Sequence, residues 1–183
     1  PEVSQGMLQA MWEFQTMICE LVDLPISNVS MYDASTAAAE AITCAVRVNN
    51  RKALQKDIVY ISSLVPPHRM SVIRNYTIGA GIEIRTIEHD DSGNLLLSSA
   101  ESATGSCAVY VEQPNSLGIV DIGLTELKST IGDETSLIVG IDAVSLGVLE
   151  PPGKWGPDRV AVPYTPLPLQ PKDYGHVSTA HGI

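Results

Sequence analysis

The residues of this chain best suited to chemistry lie in short polar runs that directly follow β-prone stretches. Asp33-Ala34-Ser35-Thr36 sits between "VSMY" and the alanine-rich "AAAEAITCAV". Hydroxyls and N–H groups at the start of a helix attract anions, because the first-turn amides have no intrahelical partner and the helix dipole is positive there. The same residue types also cap a helix with no ligand at all. Two readings are therefore open: Ser35 and Thr36 form a phosphate turn, or Asp33 or Ser35 simply caps the helix. Asp142 follows "SLIVGI" with the same double meaning. A carboxylate after a buried strand closes a local turn, or it pairs with a protonated heterocyclic nitrogen. Ser62-Ser63 and Glu112-Gln113-Pro114-Asn115 follow two further stretches of this kind.

The elements that must position these residues alternate along the chain. Met7, Met11, Phe14, Ile18 and Leu21 recur at steps of three and four, which predicts an amphipathic helix that Pro25 prevents from continuing. That stripe is expected to be largely buried, with its adaptable methionines partly facing another subunit. A strand is expected at Val29 to Tyr32 and a helix from Ala37 to Val48. "DIVYI" and "GIEIRTI" read as strands on either side of the helix "RMSVIRNYTI". "CAVYV", "SLIVGI" and "DRVAV" continue as strands, with "LTELKSTI" as a helix between the first two. Alternation of this kind builds βαβ crossovers, so the expected fold class is α/β, a mainly parallel sheet with helices on both faces. Residues 1–162 are expected to form that core. Pro163, Pro166, Pro168 and Pro171 fall within nine residues, so 163–183 reads as a proline-rich connector or the end of the same domain. In such sheets ligands gather at the carboxyl ends of the strands, where Ser35, Thr36 and Asp142 all fall.

Composition narrows the partners. The 183 residues are 44% hydrophobic and 17% charged, enough for one domain with a real core, and the net charge of −10 is spread over the surface. Nucleic acid and anionic lipid would be repelled, leaving proteins and small molecules. No stretch is apolar and long enough to span a bilayer, and no basic, apolar leader opens the chain, so a cytoplasmic protein is expected. Cys19, Cys44 and Cys107 are scattered and odd in number, which points to reduced thiols with no disulfide or metal framework. Two nucleotide motifs fail. "GAG" at 79–81 precedes its strand, and Gly153-Lys154 is followed by Trp155 where a phosphate loop needs Ser or Thr. The chain begins at Pro1 and stops at "STAHGI", so a piece of a longer protein is expected.

Several segments in register resemble the P protein of the glycine cleavage system, a pyridoxal-phosphate-dependent glycine decarboxylase, in its first-subunit or N-terminal-half form. "PEVSQGMLQAMWEFQ" is similar to that family's "EVSQGxLQxxxEFQ", and "LPISNVSMYDASTAAAEA" to its "LPxxNxSxYDxxTAxAEA". "EQPNSLGIVD" is similar to "QNPNFFGVxED", and "DAVSLGVLEPPGKWGPD" to "DPLSLGLLKPPGxxGAD". The resemblance covers about Pro1 to Asp158. It implies the large domain of an aminotransferase-like, fold type I protein. It also implies that Ser35 and Thr36 match the coenzyme-phosphate turn, with Ala34 where glycine is usual, and that Asp142 matches the partner of the pyridine nitrogen.

The departures shape the function that the resemblance implies. The Schiff-base lysine belongs a few residues beyond "DRVAV", yet that stretch reads "PYTPLPLQPKD", with Thr165 near the place and no lysine before Lys172. Lys172, between Pro171 and Asp173, reads as a solvated surface lysine, and Lys154 is no better placed. The family histidine of "SLHPxY" is also missing. The segment here is "SLVPPHR", with Pro66 at that position and His68 two places on, where a lone loop histidine reads as solvent-exposed. His89, His176 and His181 have no partner at catalytic or metal spacing. Two-chain members of the family lack the lysine in the first subunit and carry the coenzyme on the second. The expectation is a component of glycine dehydrogenase (decarboxylating) with no catalytic residue of its own. Ser35, Thr36 and Asp142 are its coenzyme-facing positions or their remnants. Its expected partners are a homologous lysine-bearing subunit holding pyridoxal phosphate, a lipoyl carrier protein and glycine. The alternatives are an inert scaffold or regulatory subunit of the same complex, and a lysine-dependent enzyme using Lys172.

Overall fold

The computed structural model describes residues 2–51, 57–164 and 176–181. Helix α1 (Gln5–Val22) ends at Asp23, whose left-handed backbone (φ 56°, ψ 48°) sends its N–H back to the Cys19 carbonyl. A two-residue strand β1 (Ile26–Ser27) follows, and then α2 (Ala34–Arg51). The expected strand at Val29–Tyr32 is thus displaced: the extended pair lies upstream, and the chain after it turns toward α2. From β2 (Ile58–Ser62) through α3 (Pro67–Ile78) and β3 (Glu83–Ile87), strands and helices alternate as the periodicity requires. A single turn α4 (Leu97–Ala100) precedes β4 (Ala108–Gln113), and α5 (Leu124–Ile131) precedes β5 (Ser136–Ile141). Two strands close the described fold, β6 (Arg159–Tyr164) and β7 (His176–His181).

One seven-stranded sheet results, in the order β1-β7-β6-β5-β4-β2-β3. The five strands from β3 to β6 run parallel, while β7 pairs antiparallel with β6, and β1 with β7 in the register Ile26 to His181. The central strands β4 and β5 are buried at every residue, as expected of parallel strands covered on both faces. Alternate side chains define the two layers. Val109, Val111, Leu137, Val139 and Ile141 pack with Ile18 and Val22 of α1 and with Leu124, Leu127 and Ile131 of α5. Val59, Ile61, Ala108, Tyr110 and Ile138 pack on the other face with the alanines of α2 and with Ile73 of α3. At the outer edge, Glu83, Arg85 and Thr86 of β3 face solvent, with Arg85 bonded to Glu83 at 2.8 Å and to the Tyr60 hydroxyl at 3.3 Å.

The α1 stripe departs from its expected burial. Ile18 is buried and Phe14 and Leu21 are half-buried, but Met7 and Met11 are exposed. The first half of the helix thus has its apolar stripe uncovered, and the second half packs on the sheet.

Candidate functional site

The start of α2 is built by its own sequence. Asp33 Oδ1 accepts hydrogen bonds from Ser35 N (2.7 Å) and Thr36 N (2.9 Å), and the Thr36 hydroxyl donates to Asp33 Oδ2. Asp33 therefore engages the first-turn donors that would otherwise meet an anion. Burial opposes ionisation of Asp33, but these bonds from Thr36 and Ser35 outweigh it and hold the carboxyl below its usual range. Ser35 is buried and Thr36 half-buried beside it.

The far end of α2 fixes where this turn lies. Asn49 donates to the Cys107 carbonyl (2.7 Å) and lies 3.4 Å from Ser136 Oγ, at the amino ends of β4 and β5. A helix of 18 residues is about 27 Å long, so its first turn reaches the carboxyl ends of those strands. Asp142 directly follows β5 at that same end. It is exposed, and its Oδ1 accepts the Val144 N–H at 3.0 Å, capping a short 3-10 helix, Ala143–Gly147. The structure thus brings Ser35, Thr36 and Asp142 to one end of the sheet. The Thr36 hydroxyl and the Asp142 carboxylate each serve their own turn.

At the carboxyl end of β4, beside β5, lies a group that local sequence does not announce. Arg69 of α3 meets Glu112 at the end of β4 (2.5 Å), and the Tyr110 hydroxyl donates to the same Glu112 oxygen at 3.0 Å. Tyr110 is nearly inaccessible, and burial, reinforced by the Glu112 charge, pushes its phenol well above the ordinary range. Gly140 on the neighbouring strand leaves room for that hydroxyl: a Cβ there would run into it. The available signal was Glu112 itself, since a carboxylate inside a wholly buried strand requires a cation. Gln113 and Asn115 are likewise structural. Gln113 pairs twice with the Asp121 backbone (3.0 Å each), and Asn115 accepts from Leu117 N (3.0 Å) and Ile119 N (3.2 Å).

His89 has partners that its sequence spacing hides: Ser62 Oγ lies 3.3 Å from Nε2 and Ser63 Oγ 3.0 Å from Nδ1. Burial lowers its pKa against the pull of Asp121, Glu88 and Asp90, favouring the neutral ring. His68 is exposed in the first turn of α3. Lys128 donates to the Thr135 carbonyl (3.0 Å) and to Asp158 (2.8 Å), and Lys154 lies 3.5 Å from Glu150. These are the two lysines among the described residues, and both have acidic partners. Thr165 and Lys172 lie outside the described residues. A coenzyme phosphate would need first-turn donors that Asp33 already holds, so the Ser35-Thr36 turn as it stands does not fit pyridoxal phosphate.

Residues 1–175 match the family model described as glycine cleavage system P-protein. The chain is similar to the probable glycine dehydrogenase (decarboxylating) subunit 1 of Thermococcus onnurineus, 40% identical over 162 residues that make up 87% of this chain and 35% of the relative. Its counterpart of the same description from Thermotoga maritima is 39% identical over 159 residues, 87% of this chain and 34% of the relative. The chain thus spans about a third of the length of these curated relatives. A solved glycine decarboxylase (P-protein) of the glycine cleavage system, in inhibitor-bound form, aligns with a TM-score of 0.82 at 33% identity, over 100% of this chain and 40% of that one. A cysteine desulfurase from Thermococcus onnurineus aligns with a TM-score of 0.69 at 18% identity, over 98% of this chain and 44% of that one. At that identity the likeness bears on the fold alone, the large domain of fold type I pyridoxal-phosphate proteins.

Proposed function

The chain belongs to the glycine cleavage system P-protein family, and on that premise we propose that it is the lysine-lacking first subunit of glycine dehydrogenase (decarboxylating). In this reading residues 1–162 are the core of its large domain and 163–183 the end of that domain. The protein works in the cytoplasm beside a homologous subunit that holds pyridoxal phosphate on its own lysine. Together they take carbon dioxide from glycine and pass the aminomethyl group to a lipoyl carrier protein. The coenzyme acts as electron sink on the partner.

The observation that carries this reading is the state of the carboxyl edge. Asp33 holds the donors of Ser35 and Thr36, Asp142 caps its own turn, and the described lysines are bound to acids elsewhere. Among the described residues, such an edge keeps the position of a coenzyme site while its donors and lysines are engaged elsewhere. Ser35, Thr36 and Asp142 then serve as structural supports for the wall that this chain lends to the complex.

The test combines the chain with pyridoxal phosphate, reduces with borohydride and maps the peptides by mass spectrometry. No coenzyme is expected on any lysine of this chain, Lys172 included. Exchange of labelled bicarbonate into glycine should require both this chain and the lysine-bearing subunit. Coenzyme fixed to Lys172 would overturn the assignment, and full-rate exchange by the partner alone would reduce this chain to a scaffold.

A further inference from the structure

One imidazole ties together the exits of β2 and β3. Ser62 closes β2 and Ser63 follows it, while His89 comes shortly after β3 ends at Ile87. The backbone holds these residues in place: the Ser63 N–H donates to the Ile87 carbonyl at 2.9 Å, and His89 forms a bridge with Leu95. The ring then lies between the serines, with Nε2 3.3 Å from Ser62 Oγ and Nδ1 3.0 Å from Ser63 Oγ.

The hydroxyl of Ser62 decides where the ring carries its hydrogen. Ser62 is 2% exposed, and its Oγ already accepts the Leu64 N–H at 3.1 Å. Among the described residues its own proton has one acceptor, His89 Nε2. Nε2 is therefore bare, and the neutral ring bears its hydrogen on Nδ1, which donates to Ser63. Ser63 is exposed and turns its own proton to water, so every group in this run of bonds is satisfied. A second proton on the ring would put an N–H at Nε2, facing the hydroxyl that was donating to it. Ser62 would then have to accept twice and leave its own proton buried with no acceptor, a cost that falls on the charged ring alone. The charges that act on the ring are Glu88 and Asp90 on its own stretch and Asp121 ahead of α5. They favour the charged form, and burial opposes them and prevails.

We propose that Ser62, His89 and Ser63 form a pH-sensitive clasp at the carboxyl edge: the neutral ring ties the turn into α3 to the exit of β3, and uptake of one proton unties it. Helix α3 begins directly after this turn and brings Arg69 to Glu112 at the end of β4, so the clasp steadies the segment that leads to that ion pair.

The test is a titration of the purified protein carrying isotope-labelled histidine, in which long-range proton–nitrogen correlations show which ring nitrogen holds hydrogen. His89→Gln identifies the signal. Near neutrality the ring should be protonated at Nδ1 and bare at Nε2, and it should charge at lower pH than a free histidine. Ser62→Ala removes the donor to Nε2, so it should shift the ring to the Nε2–H form and raise its midpoint, whereas Ser63→Ala should do neither. In urea denaturation at neutral pH, wild type should exceed Ser62→Ala by about tenfold or more in its folding equilibrium, the worth of two hydrogen bonds. The folded pKa of His89 lies below its unfolded one. The ring's share of that lead is thus complete above about pH 6.5 and is lost as pH falls through the folded value. An Nε2–H ring in the wild type would overturn the proposal, as would a lead that stays constant across the histidine range or an equal rise of the midpoint in both variants. Should Ser62→Ala fail to fold, the wild-type tautomer and the Ser63→Ala titration decide.

Discussion

The two longest helices, α1 and α2, are each 18 residues and each carry an apolar face, yet they use it in opposite ways. The face of α2 is made of Ala37, Ala38, Ala41, Ile42 and Ala45, all fully buried. Small side chains let the backbone lie close on β4, β5 and β6, and a helix fitted so closely has no slack. The face of α1 is made of Met, Phe, Ile and Leu and is buried only in its second half. Their first turns differ as well. Asp33 caps α2 with two N–H bonds, whereas Ser4, at the cap position of α1, makes no side-chain bond. One helix has its whole apolar face and its first turn satisfied within the described residues, and the other has only its second half covered.

The largest expected effect lies on the finished side. Glu112→Ala leaves the half-buried Arg69 guanidinium without its carboxylate and should cost about 3 kcal/mol in urea denaturation. The double change Arg69→Met with Glu112→Leu should recover most of that loss, because it removes both charges together. If the single change costs nothing, the α2 face is looser than its burial implies.

A smaller effect separates the helices directly. Ala41→Leu adds volume where the helix meets the sheet and should cost about 1–3 kcal/mol. Met7→Ala on the open part of α1 should stay within about 0.5 kcal/mol in the same assay. Equal costs at the two positions would erase the distinction.

The smallest effect is at the caps. Asp33→Ala should cost about 1 kcal/mol and Ser4→Ala next to nothing. Asp33 has a folded-state pKa below its unfolded one, so its stabilisation is fully present above the ordinary carboxyl range near about pH 4 and is lost as pH falls through the lower folded value. The gap between wild type and Asp33→Ala should therefore be constant near neutrality and close in acid. A gap that widened as pH fell would mean that Asp33 is not the cap.

Much of this was legible in the residues. Local periodicity carried "LTELKSTI" and "SLIVGI" to α5 and β5 with the same ends, because propensity, burial and the Gly132 stop agree there. It misplaced the first strand. Val29 to Tyr32 has the β-prone residues, but pairing at the sheet edge joins Ile26 to His181, and no local pattern encodes a register between segments so distant. The methionine stripe foretold an amphipathic α1 and not where the sheet beneath it stops. At the candidate site, Ser35, Thr36 and Asp142 were legible as one end of the sheet. Asp33 was legible as a residue that could cap α2, and the distances show that it takes the Ser35 and Thr36 N–H groups, whereas the Arg69–Glu112 and His89–Ser63 contacts join residues far apart in the chain.

The outer strand β3 decides what kind of crowding this protein can tolerate. An uncovered strand invites another chain to zip alongside it, the first step toward fibrils and amorphous aggregates. Here that row carries Glu83 and Arg85 locked to each other, with Arg85 lying 5.9 Å from the Tyr60 ring centre. An incoming strand would have to strip water from both charges in return for a few backbone bonds. The edge is thereby closed to growth, and strand-to-strand stacking along β3 should not be the route by which concentrated solutions of this chain cloud.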